Sequence, residues 1–401
     1  MPVTSPSYFP PNRGTDQIVG ITAGQSQTGA RVFLAGQSAG AHSTISDFIA
    51  IGDAAASGVA VDAALSGTTV IGSKSLSTLA NTSASLTTGA PVTALGFNIA
   101  PLATSLSGSV LIGDHVAAGF NGGVGAGALG IDSCVMIGSQ VYLYPNAVVS
   151  QASSPTLSVI IGYQAYQGIG AHNAGNGMAA CASNVVIGAQ ACANVGNAQA
   201  TGTGITTAVV IGAAAGAQMG NSNGAQPFGD VVIGQAAAID YVTGSNNVFI
   251  GAGNSTIGVS GNVSNNTAIG YGIKNIGNLN NTLLGSNITG PGSGNQCIFI
   301  GAWAGRTQAG LVSNIFILET NISPNQRALF YGRLDTGSLI IGNSTEAAGN
   351  RDLASLGGTN LLKLLNGTVG GTAAGGGYFY VSSGALHWKG SSGTDTTLAP
   401  A

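Results

Sequence analysis

Residues Gly36-Gln37-Ser38-Ala39-Gly40 carry the spacing of a nucleophile elbow, in which a serine on a sharp strand-to-helix turn attacks an acyl carbon; His42 follows closely as a candidate base. Gly125-Ala126-Gly127-Ala128-Leu129-Gly130 has the spacing of a dinucleotide fingerprint, whose glycines let backbone approach a pyrophosphate. Glycoside cleavage usually needs two carboxylates facing each other, and from Ser133 to Asn314 the only acids are Asp230 and Asp240. Each signal weakens against its surroundings. Gly36 is one member of a long glycine series, and Ser38 holds a place filled by Gln190, Ala214 or Trp303 elsewhere. No crossover helices for a hydrolase sheet are legible. No amphipathic helix follows Gly130, and no acid stands about 20 residues beyond it, where a ribose contact belongs. The two aspartates could approach across adjacent coils, but a solvated loop acid is the commoner arrangement. The sequence predicts no catalytic site and no cofactor.

Metal chemistry finds no better footing. Cys134, Cys181, Cys192 and Cys297 make no CxxC pair, which argues against zinc. Cys134 and Cys297 each stand four residues before a repeat glycine, so they read as fillers of equivalent small sites. Cys181 and Cys192 could bridge or remain buried thiols. His42, His115, His172 and His387 are isolated, and each reads as a solvated loop residue. No metal site is expected.

What positions all of these residues is a repeat. VVIGAAAGAQ at 209–218 has near-copies in VVIGAQACAN from Val185, VVIGQAAAID from Val231 and VIIGYQAYQG from Val159. The series of glycines runs Gly36, Gly52, Gly72, Gly96, Gly113, Gly138, Gly162, Gly188, Gly212, Gly234, Gly251, Gly270, Gly285 and Gly301, with a degenerate copy IFILE ending at Glu319 and LIIG ending at Gly342. Successive glycines from Gly36 to Gly301 lie 15 to 26 residues apart. A constant motif with a variable spacer is the pattern of stacked coils that extrude loops. Val, Ile, Phe and Thr favour strands, and a run such as Val209-Val210-Ile211, apolar on both faces, predicts a strand buried on both sides. The glycine permits a bend, a second short strand is expected after it, and the recurring Ala implies a narrow interior. Asn pairs such as Asn246-Asn247, Asn265-Asn266 and Asn280-Asn281 supply turns, because Asn tolerates left-handed geometry. Frequent glycine and β-branched clusters argue against helix. One strand face lines the coil's bore; the other would leave a long apolar stripe in water, so the same stripe on sister chains is its expected cover, with closed threefold symmetry. About fifteen layers at 4.7–4.9 Å each would make a shaft on the order of 70 Å.

Composition bounds the rest. Only 6% of the 401 residues are charged, 44% are hydrophobic and 66 are glycine. Disordered chains show the reverse balance, so this chain folds, with Asn, Ser, Thr and Gln covering its surface. A net charge of −3 and ten scattered Lys and Arg argue against a nucleic-acid partner. No uninterrupted apolar stretch reaches the ~20 residues of a membrane span, so no membrane insertion is expected. MPVTSPSYFPPNRG has no basic segment followed by an apolar core, so no signal peptide is expected, and synthesis and assembly in the cytoplasm follow.

NNVFIGAG, NNTAIGYG and NNTLLGSN resemble the repeats in the heads of trimeric autotransporter adhesins, and VFIG- and VVIG-type repeats are similar to those in tail fibres and other virion proteins of bacteriophages. The resemblance covers about residues 31 to 320. It implies an all-β parallel β-roll or β-solenoid in a homotrimeric fibre. It also implies that a threefold axis could gather three copies of one histidine round an ion. An adhesin needs export, a stalk and a membrane anchor, whereas GGYFYVSSGALHWKGSSGTDTTLAPA resembles the hairpin-rich tips of phage fibres. Three regions follow: 1–30 as an arm docking on other tail or head proteins of the virion, with Tyr8, Phe9, Pro10 and Pro11 as its contacts; 31–320 as the repeat shaft; and 321–401 as a C-terminal cap or tip. Leu361-Leu362-Lys363-Leu364-Leu365 could be a helix or a strand. Tyr378 to Trp388 reads as a hairpin, with Tyr378, Tyr380, His387 and Trp388 as candidate contacts to a bacterial surface receptor or glycan. The expected function is a phage tail fibre in host attachment; the alternatives are a non-receptor virion fibre or spacer, a secreted trimeric adhesin, and a depolymerase tailspike.

Overall fold

The computed structural model describes residues 17–20, 22–24, 31–41, 47–57, 67–76, 91–100, 105–118, 130–141, 156–165, 182–192, 206–217, 228–238, 244–254, 263–274, 276, 279–290, 294–305, 313–319, 330–334, 338–341, 362–364, 378–390, 392 and 394–399. They fall in two compact units, Met1–Thr256 and Ile257–Ala401.

The first unit holds β1 (Gln17–Val19), β2 (Val32–Ala35), β3 (Phe48–Ile51), β4 (Thr69–Ile71), β5 (Thr93–Phe97), β6 (Ser105–Ser107), β7 (Val110–Asp114), β8 (Gly130–Asp132), β9 (Val135–Ser139), β10 (Val159–Ile161), β11 (Val185–Ile187), β12 (Val209–Ile211), β13 (Val231–Ile233) and β14 (Val248–Ile250). Apart from β6 and β8, each strand pairs in parallel with a neighbouring copy of the motif in this unit. Val186 lies beside Val210, Val210 beside Val232, and Val232 beside Phe249. The all-β parallel solenoid expected from the repeat is therefore the architecture. It begins with β1, inside the stretch read as an arm, where Gly20 follows Gln17-Ile18-Val19 in the pattern of the later glycines.

Among the described residues turns follow most of the glycines, and the second ladder expected there is confined to a single parallel bridge, Lys274–Thr289, four residues after Gly270 and Gly285. The second ladder instead precedes the main strand. It consists of β6 beside β8 and of single parallel bridges Asp132–Thr156, Thr156–Ala182, Ala182–Thr206, Thr206–Phe228 and Phe228–Ser245. The physical reason is a corner built from left-handed residues. In the β11 layer Ser183, Gln190 and Cys192 have φ of 59°, 55° and 53°, and in the β12 layer Thr207 and Ala214 have 57° and 53°. These lie five before, two after and four after the repeat glycine. Left-handed geometry costs an ordinary residue about 1–2 kcal/mol. The cost is offset because each corner N–H then reaches a carbonyl of an adjacent layer: Thr207 to Ala182 at 2.9 Å, Gln190 to Tyr163 at 2.8 Å, Cys192 to Ala215 at 2.9 Å. Asn246, Asn265 and Asn280 take the first corner in their layers, as their residue type predicts.

The repeat glycines adopt φ between 114° and 145°, where L side chains rarely go. A second constraint is spatial. A Cβ built on Gly212 would lie well inside van der Waals contact with the carbonyl oxygen of Gly234, and one on Gly188 would meet Gly212 in the same way. The glycine column lets successive layers close on one another.

In the second unit β15 (Thr267–Tyr271), β16 (Thr282–Ser286), β17 (Ile298–Ile300) and β18 (Ile315–Leu318) stack in the same parallel manner. Glu319 takes the glycine position after β18. Polarity then changes: β19 (Phe330–Arg333) runs antiparallel to β18, and β20 (Ser338–Ile341) antiparallel to β19. β21 (Leu362–Leu364) pairs in parallel with β20, which settles the Leu361–Leu365 stretch as containing a strand. A separate antiparallel sheet comprises β22 (Tyr378–Ser382), β23 (Ala385–Lys389) and β24 (Asp395–Ala399).

Inside the coil, Val186, Val210, Val232 and Phe249 are fully buried, as are Ala191, Ala215 and Ala237 three residues past the glycines. These small residues set the narrow bore. The flanking Val209 and Ile211 point the other way and stay half-buried. In this outer ladder Ile49, Ile71 and Ile269 are each 40% exposed.

Candidate functional site

The residues singled out as chemistry fall into three places. The first is the bore. The position four residues before each glycine turns inward, and its side chain commonly accepts the N–H of the same position one layer on. Asn184 Oδ1 accepts from Ala208 at 3.0 Å, and Asn266 Oδ1 accepts from Asn281 at 2.8 Å. Asn281 Oδ1 accepts from Cys297, and Ser109 Oγ from Cys134. Burying a backbone N–H without such an acceptor costs about 1–3 kcal/mol, so this polar column is a condition of the fold. Cys134 and Cys297 occupy it as the spacing predicts. Each thiol donates to the carbonyl two residues back, at 3.2 Å and 3.4 Å, as Ser109 and Ser158 do with their hydroxyls. Burial raises the Cys134 thiol to about 11 and pushes Cys297 up as well. Raised values keep both sulfurs protonated at neutral pH, and the thiolate is the reactive form. In native protein at pH 8, iodoacetamide is expected to leave Cys134 and Cys297 unlabelled, with labelling after denaturation; peptide mass spectrometry reads both. Cys192 is also buried, and Cys181 lies outside the described residues.

Asp230 belongs to this column too, a correction to its reading as a solvated loop acid. It is fully buried, and its Oδ1 accepts from Asn247 N–H at 2.7 Å and from Asn247 Nδ2 at 3.0 Å. The corner that turns the neighbouring columns inward does the same to residue 230. Asp240 lies outside the described residues. Asn fills the equivalent position in other layers, so Asp230→Asn keeps the acceptor and replaces a fully buried carboxyl with an amide. The expected result is a gain of about 1 kcal/mol, measured as a higher Tm.

The second place is the corner after the glycine. Ser38, at φ 55°, shares this position with Gln190, Ala214 and Trp303, at 55°, 53° and 65°. Its hydroxyl lies 2.8 Å from that of Thr22 in the preceding layer. The elbow spacing is thus a corner of the coil; His42 and Gly125 to Leu129 lie outside the described residues. His115 occupies the same corner, with Nδ1 2.8 Å from Asp114 Oδ1. His172 is not among the described residues. No three His, Cys, Asp or Glu among the described residues gather to hold a metal ion.

The third place is the β22–β24 sheet, where Ser383 and Gly384, both at positive φ, close the expected hairpin in two residues. The strands split the candidate contacts between two faces. Phe379 opposes Trp388, with ring centroids 4.6 Å apart, and Phe379 is 63% exposed. Tyr380 opposes His387 on the other face, stacked at 5.1 Å. Tyr378 pairs with Lys389. Sequence reasoning missed Asp395 on β24. Its carboxylate accepts the Tyr380 hydroxyl and sits 3.0 Å from His387 Nδ1. The Tyr380 bond, then His387 and Lys389, lower the Asp395 pKa, and the same bond raises that of Tyr380. The Gly390-Ser391-Ser392-Gly393 run was the available signal for a turn leading to a third strand. Tyr8, Phe9, Pro10 and Pro11 lie outside the described residues.

No family model, curated protein or solved structure matches this chain. No helix among the described residues is long and apolar enough to cross a membrane.

Proposed function

We propose that this chain is the structural fibre of a bacteriophage virion, a homotrimer acting as a tail fibre in host attachment. One observation carries the reading: the repeat strand is apolar on both faces, yet one chain buries only one of them. Val186, Val210 and Val232 fill the bore, while Val209, Ile211 and their equivalents form an outer ladder. Sister chains laid side by side cover that ladder, and threefold closure is what the resemblance to adhesin-head and phage-fibre repeats implies. Of the first 30 residues, those ahead of β1 dock on other virion proteins, and the β22–β24 sheet supplies the contact to a bacterial surface receptor. The burial of Asp230 weighs against the depolymerase alternative, because a carboxylate in the bore cannot flank a surface glycosidic bond.

The test is competition. Saturating purified protein is expected to block adsorption of phage that carry it, and Trp388→Ala to weaken that block. Deleting residues 1–16, ahead of β1, should leave trimers that no longer join virions. Unchanged adsorption at saturation would overturn the receptor role in favour of a non-receptor virion fibre.

A further inference from the structure

We infer that the corner of β5, β7, β9, β10 and β11 is a binding site for a neutral oligosaccharide. The residues immediately after the repeat glycines include Phe97, Asp114, Ser139 and Tyr163, and the next positions hold His115, Gln140, Gln164 and Gln190. Phe97 and Tyr163 are 42% and 51% exposed, although both are large and aromatic. Between them lie Asp114, His115, Ser139 and Gln140, and a side-chain hydrogen-bond ladder runs on from Gln140 through Gln164, in the Tyr163 layer, to Gln190 one layer beyond. Gln164 Nε2 donates to Gln140 Oε1 at 2.8 Å, and Gln190 Nε2 donates to Gln164 Oε1 at 3.1 Å. The backbone beneath is equally tied: His115 N–H reaches Phe97 O, Gln140 reaches Asp114, Gln164 reaches Ser139 and Gln190 reaches Tyr163, at 2.8 to 3.0 Å. The His115 ring meets Phe97 edge-on at 5.4 Å and bonds Asp114.

A sugar ring presents a face of C–H groups and a rim of hydroxyls that both donate and accept. An exposed aromatic ring takes the first. A side-chain amide takes the second, because it carries two N–H donors and two lone pairs and a ladder contact uses one of each. Ladder bonding also fixes the glutamine side chains beforehand, which cuts the entropy lost on binding. Phe97 and Tyr163 stand three layers apart, about 14 Å, with the polar stretch between them, so a short oligosaccharide lies along the stack. Charge selects the class. No Lys or Arg occurs between Lys74 and Lys274, so these layers offer no lysine or arginine to a sulfate, phosphate or uronate, and Asp114 repels one. Nucleic acid is excluded on the same ground, since its affinity comes from neutralised phosphates. The site lies in the first unit, on residues other than those of the β22–β24 sheet, and stands whether or not the chain belongs to a virion.

Saturation-transfer NMR on the full chain tests this, with maltopentaose, cellopentaose, chitotetraose and mannotetraose as millimolar probes and a sulfated maltopentaose as the anionic control. At least one neutral probe should receive saturation at its ring C–H protons, and the sulfated one should bind more weakly. Tyr163→Ala should weaken binding about tenfold, and Gln164→Leu should weaken it too, both with unchanged Tm. Tyr271→Ala, at a still more exposed aromatic after the glycine of β15, should bind as wild type. Silence from every neutral probe, wild-type binding by Tyr163→Ala, or an equal loss in Tyr271→Ala overturns the inference.

Discussion

Val210→Asp is expected to abolish folding, while Ile211→Asp, one residue on, leaves a folded chain that stays monomeric. Val210 is fully enclosed between Val186 and Val232. A carboxylate there has no water and no cation, and relief by protonation still leaves a polar group in an apolar bore. The cost is several kcal/mol, a large share of the 5–15 kcal/mol that holds most domains together. Ile211 points outward and half-exposed, so its charge stays solvated in a single chain and is buried only if a sister chain covers it. Circular dichroism with light scattering separates the outcomes. Loss of β-signal in Val210→Asp and β-signal at monomer mass in Ile211→Asp are the expected pair. A wild-type protein that is itself monomeric removes the trimer from the proposal and leaves the bore assignment standing.

Gly212→Ala is expected to be nearly as damaging, although it adds one methyl group. That methyl would overlap the Gly234 carbonyl, and the backbone sits at φ 135°. Backbone strain of about 1–3 kcal/mol joins a similar overpacking cost, so the sum is on the order of 4 kcal/mol. Ala214→Gly, at a left-handed corner two residues later, makes the opposite exchange and should cost little or stabilise, since alanine there is already strained. Thermal melts of the two variants give the comparison.

The repeat was legible because its physical demands fall on residue type. A glycine that must face a carbonyl recurs, and so do β-branched residues on either side of a bore. The Asn pairs were legible as turns for the same reason. The placement of the second ladder was not, because corner residues at left-handed φ include Gln, Cys, Ala and Trp, types that carry no turn signal alone. Only layer-to-layer hydrogen bonding holds them there. Asp230 misled because an acid in a sequence says nothing of which side of the chain it occupies; its place four residues before Gly234 was the clue, shared with Asn184 and Asn247. At the tip, Trp388 and His387 were found as neighbours, but period-two alternation sends them to opposite faces. The role of Asp395 required the third strand.

The fit between layers is made by an atom that is missing, and this gives the stack the property of a ruler. Every interface from Gly36 to Gly234 poses the same demand, so whole repeats are interchangeable units. Removing residues 189–212 would set Gly188 against Gly234 and Val186 against Val232, a junction chemically the same as those already present. Layer number can therefore change by duplication or loss without redesign of any neighbour. The count ends where the demand is not met: at Glu319 the column acquires a side chain, and the next strand arrives antiparallel.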